Sequence, residues 1–154
     1  MSYVDKNLMQ GEEVIYRAKI HWYIFLPAII FFVFGIFLFS KNTDGGGAIF
    51  GLISILISIY LSIKAAISRA STELAVTSKR VIAKFGFIRR NTIELNHSKV
   101  ESFHVDQSIL GRIFDFGTIV INGTGGGKTP IPNIDAPLVF RRNAMESIDV
   151  GQSN

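Results

Sequence analysis

A chain of 154 residues is long enough for one globular domain, yet only 18% of its residues are charged and 13 are Phe, so its apolar surplus exceeds what one modest soluble core buries. It has no Cys, which excludes disulfides, thiolate metal sites, thiol nucleophiles and Cys-ligated clusters within the chain. The net charge of +4 is uneven: residues 64–154 carry 12 Lys or Arg against 8 Asp or Glu, whereas 1–21 and 41–47 each sum to zero, and a basic segment of this kind is attracted to anionic lipid.

Residues 11–20 read as a turn and a strand, with Val14, Tyr16, Ala18 and Ile20 on one face, able to pair with whatever β structure follows later in the chain. From Trp22 to Phe39 there is no charged side chain, and with His21 and Ser40 the stretch is long enough to cross a hydrocarbon core of ~30 Å as a helix. A signal peptide would show a shorter apolar stretch and a small-residue cleavage site, and neither is present. Pro27 falls in the first turns, where a missing N–H costs little, and Trp22 and Tyr23 suit a membrane–water interface.

A second apolar stretch, 48–63, reaches spanning length with Gly45, Gly46 and Gly47 at one end and the stem of Lys64 at the other. Gly47, Gly51, Ser54, Ser58 and Ser62 recur at spacings of three and four, a stripe of small residues that admits a neighbouring backbone, either the first helix or a second copy of the chain. The alternative, a pair of buried helices in a soluble protein, needs more surrounding chain than is available. The link 41–47 is too short to fold, so the two helices form a hairpin. Arg17, Lys19, Lys64 and Arg69 flank it against Lys41 alone in the link, which places both termini in the cytoplasm.

After residue 71 the pattern turns to short β-rich runs at 72–77, 80–85, 87–95 and 100–106, with Leu74 and Val76, Ile93 and Leu95, and Phe103 and Val105 at the period of two. Residues 107–114 break it with Ile109, Leu110, Ile113 and Phe114 at helical spacing. Two further strands, 118–122 and 129–134, are joined by a glycine-rich loop. A C-terminal helix is expected with Asp135 as its N-cap, Pro137 in its first turn and Leu138, Met145 and Ile148 on its apolar face, followed by a disordered tail at 150–154.

A membrane hairpin followed by Leu74-Ala75-Val76-Thr77-Ser78-Lys79-Arg80-Val81, Gly86-Phe87-Ile88-Arg89-Arg90, Val100-Glu101-Ser102 and the Gly111-Arg112-Ile113-Phe114 turn with Asp115-Phe116-Gly117 behind it resembles the bacterial pleckstrin-homology-like, membrane-flanked domain family. The resemblance covers nearly the whole chain. It implies an α+β membrane protein of the bacterial inner membrane, in which a two-helix hairpin carries a β sandwich or partly open barrel closed by a C-terminal helix, with no known catalytic residues. It leaves the ligand open, because a fold does not fix a function.

Three constellations compete with a purely structural reading. The run 123–129 ends in Gly-Lys-Thr, as a phosphate-binding loop does, but that motif needs a Gly where Asn122 stands, and Pro130 and Pro132 cannot open the required helix, so a hairpin turn is expected. Lys79, Arg80, Lys84, Arg89 and Arg90 cluster in sequence around the Gly86 turn and are candidate lipid- or anion-binding residues; the alternative is a basic edge that discourages strand aggregation. His21, His97 and His104 have no metal-ligand spacing, and no nucleophile motif surrounds Ser102 or Ser108.

The expected division is a juxtamembrane strand segment at 1–20, a hairpin at 21–67 with spans near 21–40 and 46–64, a cytoplasmic PH-like β domain at 71–149 and the tail. The expected function is that of a noncatalytic inner-membrane adaptor that binds a protein or a second copy of itself, with no cofactor, no metal and no nucleic-acid partner, and with membrane lipids around it. The alternatives are a sensor of anionic lipid headgroups and an accessory subunit of a membrane enzyme or transporter; two spans without an intramembrane ionisable residue offer no solute route of their own.

Overall fold

The computed structural model describes residues 3–41, 45–87 and 90–152. They form two compact units: Trp22–Arg69, which is helical, and a mainly β unit built from Met1–His21 together with Ala70–Asn154.

In the helical unit, one 3-10 turn at Trp22–Phe25 leads into α2 (Leu26–Lys41), and α3 runs from Gly46 to Ser71. Pro27 is the second residue of α2, where its fixed φ suits a first turn and no intrahelical donor is lost. The helical run Trp22–Lys41 and α3 are each long and apolar enough to cross a membrane, and α3 continues seven residues beyond the expected span end at 64. The small-residue stripe faces α2: Gly47, Gly51, Ser54 and Ser58 are buried, with Ser62 half-buried at its end. Ser54 Oγ donates to the Phe31 carbonyl and Ser58 Oγ to the Ala28 carbonyl, both at 2.8 Å. Of the two partners the stripe admits, the first helix of the same chain therefore occupies its centre.

The β unit has two antiparallel sheets. One has the order β1 (Val14–Ala18), β2 (Glu73–Thr77), β3 (Arg80–Phe85), β4 (Asn91–Asn96), and the other the order β5 (Val100–Asp106), β6 (Phe116–Gly123), β7 (Lys128–Asp135). As expected, the strand before the hairpin pairs with the strand after it, Ala18 opposite Leu74 and Tyr16 opposite Val76. Alternation along β6 puts Ile119 and Ile121 inside, against Ile131 and Ile134 of β7. The glycine-rich segment is a hairpin loop between β6 and β7, with Gly123 N–H donating to the Gly127 carbonyl and Gly126 at φ 75°.

Three elements differ from the sequence reading. β4 begins at Asn91 rather than 87, with Phe87 exposed before it. A short helix, α1 (Tyr3–Lys6), lies on the face of the first sheet that carries Ala75 and Ile82, and Val4 completes a small core there. This second layer explains why Leu74, Ala75, Val76 and Thr77 are all buried although strands ordinarily alternate. The C-terminal helix, α5 (Pro137–Gln152), starts one residue after Ala136, which has φ 45° and accepts from Val139 and Phe140 N–H, so Asp135 is the last residue of β7 and not the cap.

The buried face of α5 is Phe140, Ala144, Ser147 and Ile148; Leu138 and Met145 of the expected face are about half exposed. Phe140 is fully buried, edge-on to Tyr16 at 6.1 Å and to Phe103 at 6.0 Å, and burying a ring of this size contributes about 1.5–3 kcal/mol. α5 also continues to Gln152, through the first residues of the expected tail at 150–154.

Candidate functional site

Strand register separates the basic residues that look clustered in sequence. Arg80 opposes Asn96 and Phe85 opposes Asn91, so Lys79 and Arg80 sit at one end of β3 and Arg90 beyond the other, roughly 16 Å or more away at ~3.3 Å per residue. Arg89 lies outside the described residues.

Arg80 does not face lipid or solvent. Its side chain is 6% exposed, with Nε donating to Glu12 Oε1 at 3.0 Å, Nη2 to Glu12 Oε2 at 3.0 Å and to the Asn7 carbonyl at 2.6 Å, and Nη1 to Glu94 Oε2 at 2.5 Å. The Thr77 hydroxyl adds a 2.7 Å hydrogen bond to Glu12 Oε1, and Met9 N–H donates to Oε2 at 2.6 Å. Burial pushes the Glu12 carboxyl up, but the bonds from Arg80, Met9 and Thr77 outweigh it and hold it at about 2. Arg80 is thus a clamp that ties the N-terminal segment to β2, β3 and β4, with its guanidinium buried and paired with Glu12 and Glu94.

Lys84 is also engaged: Nζ pairs with Glu73 Oε1 at 3.3 Å and stands 5.0 Å from the centre of the Tyr3 ring. Glu73 in turn accepts from Tyr3 and Val4 N–H, so the pair anchors α1. Lys79 Nζ donates to the Gln10 carbonyl at 2.9 Å from an exposed position. Arg90 stands exposed. Arg90→Glu is therefore expected to move the unfolding midpoint of the intact chain by no more than the ~0.5 kcal/mol typical of surface changes, as thermal denaturation would show.

Behind the Arg80 clamp, His97 is buried at the corner between β4 and β5. Burial pushes its imidazole down, against a hydrogen bond to the Thr77 carbonyl and the nearby Glu12 charge. The same carbonyl accepts from Ser147 Oγ at 3.0 Å, linking α5 to the end of β2. His97 Nε2 has no hydrogen-bond partner among the described residues. Among the described residues no group of His, Asp and Glu could hold a metal ion.

Beside the β6–β7 loop, Ser102, Asn122, Gly127 and Lys128 line a shallow pocket of about 210 Å³. Asn122 Nδ2 donates to Ser102 Oγ at 2.9 Å, while its Oδ1 is buried without a partner among the described residues. The helical unit has its own groove, about 570 Å³ and lined by Phe31, Phe34, Leu38, Phe50 and Ser54 among others.

Sequence reasoning missed Glu12, Thr77 and Glu94 as partners of Arg80. The only sequence trace is an acidic pair, Glu12-Glu13, placed just before a strand, and it carries no distance information.

The family described as the bacterial PH domain matches residues 24–147, from the first apolar helix to near the end of α5. No curated protein and no solved structure matches the chain. The match takes in both apolar helices, β2 to β7 and most of α5; β1 and α1 precede it. With most of its length matched and with two antiparallel sheets and a C-terminal helix in the order the sequence resemblance implies, the chain belongs to the bacterial PH domain family.

Proposed function

We propose that the chain is a noncatalytic binding module of the bacterial inner membrane, whose hairpin crosses the bilayer and whose β unit, with both termini, faces the cytoplasm and meets a protein partner or a second copy of the chain. The observation that carries this reading is the reversal of burial between the two units. Only 11% and 17% of the most apolar 18 residues in the two long helices are buried, and Phe34, Phe37, Phe39, Phe50, Leu56 and Ile59 are each about half exposed or more. In water that apolar surface would carry a large penalty; among acyl chains it carries none. The β unit is ordinary by contrast, with Leu74, Val76, Ile119 and Phe140 inside.

Orientation follows from Arg17, Lys19, Lys64 and Arg69 flanking the helices against Lys41 alone in the link. The buried Glu12 carboxyl, lowered to about 2 and bonded on both oxygens, is spent on the Arg80 clamp. A protein-facing role is supported by β4, an exposed strand paired to β3 on one side and to no strand on the other among the described residues, and an open edge accepts another strand.

A photo-crosslinker at Thr92, in the full chain in native membranes, is expected to capture one discrete protein neighbour or a second copy. A strict monomer with no captured neighbour would count against the reading. The surplus of positive charge after residue 63 and the exposed Arg90 favour a second reading, sensing of anionic headgroups; against it, Lys79, Arg80 and Lys84 are engaged within the protein. That second reading predicts a Thr92 capture yield that tracks anionic lipid content.

A further inference from the structure

We propose that α4 (Ile109–Ile113), with Phe114 behind it, is a wedge that inserts into the lipid interface of the membrane carrying the hairpin; this inference rests on the helices spanning a bilayer. Ile109 is 79% exposed, Ile113 68% and Leu110 46%, a density of large apolar side chains found nowhere else on the β unit among the described residues. The turn that presents them is built rather than frayed. Ser108 Oγ accepts from Gly111 N–H at 3.1 Å, and Gln107 Nε2 donates to the carbonyls of Gly111 and Phe116 at 3.2 Å each. Gly111 is buried so close to its neighbours that a Cβ there would fall 2.5 Å from the Phe116 carbonyl oxygen. The turn is thus closed on its inner side, and its apolar side chains have only the outside to occupy.

The position of α4 identifies what covers it. Phe116, three residues after α4, stacks on the His21 ring at 5.2 Å; Ile20 bridges to Ile134, and His21 N–H donates to the Asn133 carbonyl at 2.7 Å. The first apolar helix starts at the next residue, Trp22, and at ~3.3–3.6 Å per residue the chain has no slack to carry this end of the β unit away from the bilayer. The second tether leads to the same end, because α3 stops at Ser71, β2 starts at Glu73, and Leu74 pairs with Ala18 just before Ile20. The ionisable groups around this end are mixed, Lys19 and Arg112 against Asp106, Asp115 and Asp135, so apolar insertion rather than headgroup charge accounts for the surface. A lipid interface, unlike a protein partner, is brought to these side chains by the tether itself.

The chain has no Cys, so single cysteines report cleanly. Ile113→Cys, Ile109→Cys, Leu56→Cys and Thr124→Cys would each carry an environment-sensitive fluorophore in the full chain, reconstituted in phosphatidylcholine vesicles with and without phosphatidylglycerol, with nitroxide lipids as quenchers. Leu56 lies within α3, and Thr124 lies in the β6–β7 loop at the far end of β6 from Phe116. Expected are blue-shifted emission and quenching by shallow nitroxides at 109 and 113, quenching by deep nitroxides at 56, water-like emission at 124, and little dependence of the 109 and 113 signals on phosphatidylglycerol. Water-like emission at 109 and 113 with a quenched signal at 56 overturns the wedge and leaves the spanning helices standing. Blue-shifted emission at 109 and 113 without nitroxide quenching assigns the surface to a protein and also overturns it. Water-like emission at 56 overturns the spanning reading and the wedge with it.

Discussion

Replacing Arg80 by methionine is expected to destabilise the β unit by about 3–5 kcal/mol, because it leaves a buried carboxylate without its counter-ion. The Glu12 side chain is 0% exposed and receives two of the guanidinium's bonds, and the same guanidinium holds Glu94 and the Asn7 carbonyl. Without it, the segment 7–12 loses its ionic attachment to β3, and α1 is left to its contacts with Glu73, Lys84, Ala75 and Ile82. Hydrogen exchange of β2 and β3 amides, measured on the intact chain in micelles, should quicken together with those of α1. Adding Glu12→Met to Arg80→Met should recover most of the loss, since the penalty lies in the orphaned charge more than in the missing attraction. A change under about 1 kcal/mol in the single variant would mean that water reaches Glu12 and that the clamp is an ordinary surface pair.

The same clamp sets an acid limit. Folding lowers the Glu12 carboxyl from 4.5 to about 2, so between those values the unfolded chain binds the extra proton, and the stability present above 4.5 is lost as the pH falls towards 2. His97 acts in the same direction at a higher pH: burial lowers its folded value from 6.5, so the stability it confers as a neutral group is present above 6.5 and declines below it. Acid titration of the Arg80→Met variant should lose the step below pH 4.5 and keep the one beginning near 6.5.

What the sequence reveals and what it hides divide along a physical line. Features set by period and solvation are readable: the small-residue stripe on α3, the alternation of β6, the pairing face of Val14, Tyr16 and Ala18, and the failed phosphate-loop count at Asn122. Features set by register between distant segments are not. The basic residues around Gly86 look like one patch because chain distance ignores the length of β3, and only the pairing of Arg80 with Asn96 shows that they are split. α5 offers two plausible apolar stripes, one through Leu138 and Met145 and one through Phe140, Ala144 and Ile148, and the choice falls to Tyr16 and Phe103, which supply a pocket for Phe140 alone. α1 is too short to hold by propensity and exists because Val4 finds Ala75 and Ile82. At 107–114 the helical spacing is correct, but four large apolar side chains in six positions exceed what one turn can bury, and that excess is the readable sign of an outward-facing surface.

Gly51→Leu is expected to separate the two long helices where Gly51 packs against Gly35. A Cβ at Gly51 would sit 2.9 Å from the Gly35 carbonyl oxygen and 3.0 Å from Phe39 N, both backbone atoms that no rotamer change can move, and a Cβ at Gly35 would meet the Gly51 carbonyl oxygen at 3.0 Å. Relief requires the helix axes to part there, and the bonds from Ser54 to Phe31 and from Ser58 to Ala28, at 2.8 Å each, are lost with it. Interhelical bonds of this kind contribute about 0.6 kcal/mol each on average in lipid, so most of the expected loss comes from the broken backbone contact and the dispersion around it. In a detergent titration the hairpin should open at lower SDS than the native chain, seen as slower migration in the gel. Ser54→Ala should shift the midpoint by much less, because it removes one bond and leaves the close approach intact. An equal effect of the two substitutions would show that hydrogen bonding, and not the fit of Gly35 against Gly51, holds the helices together.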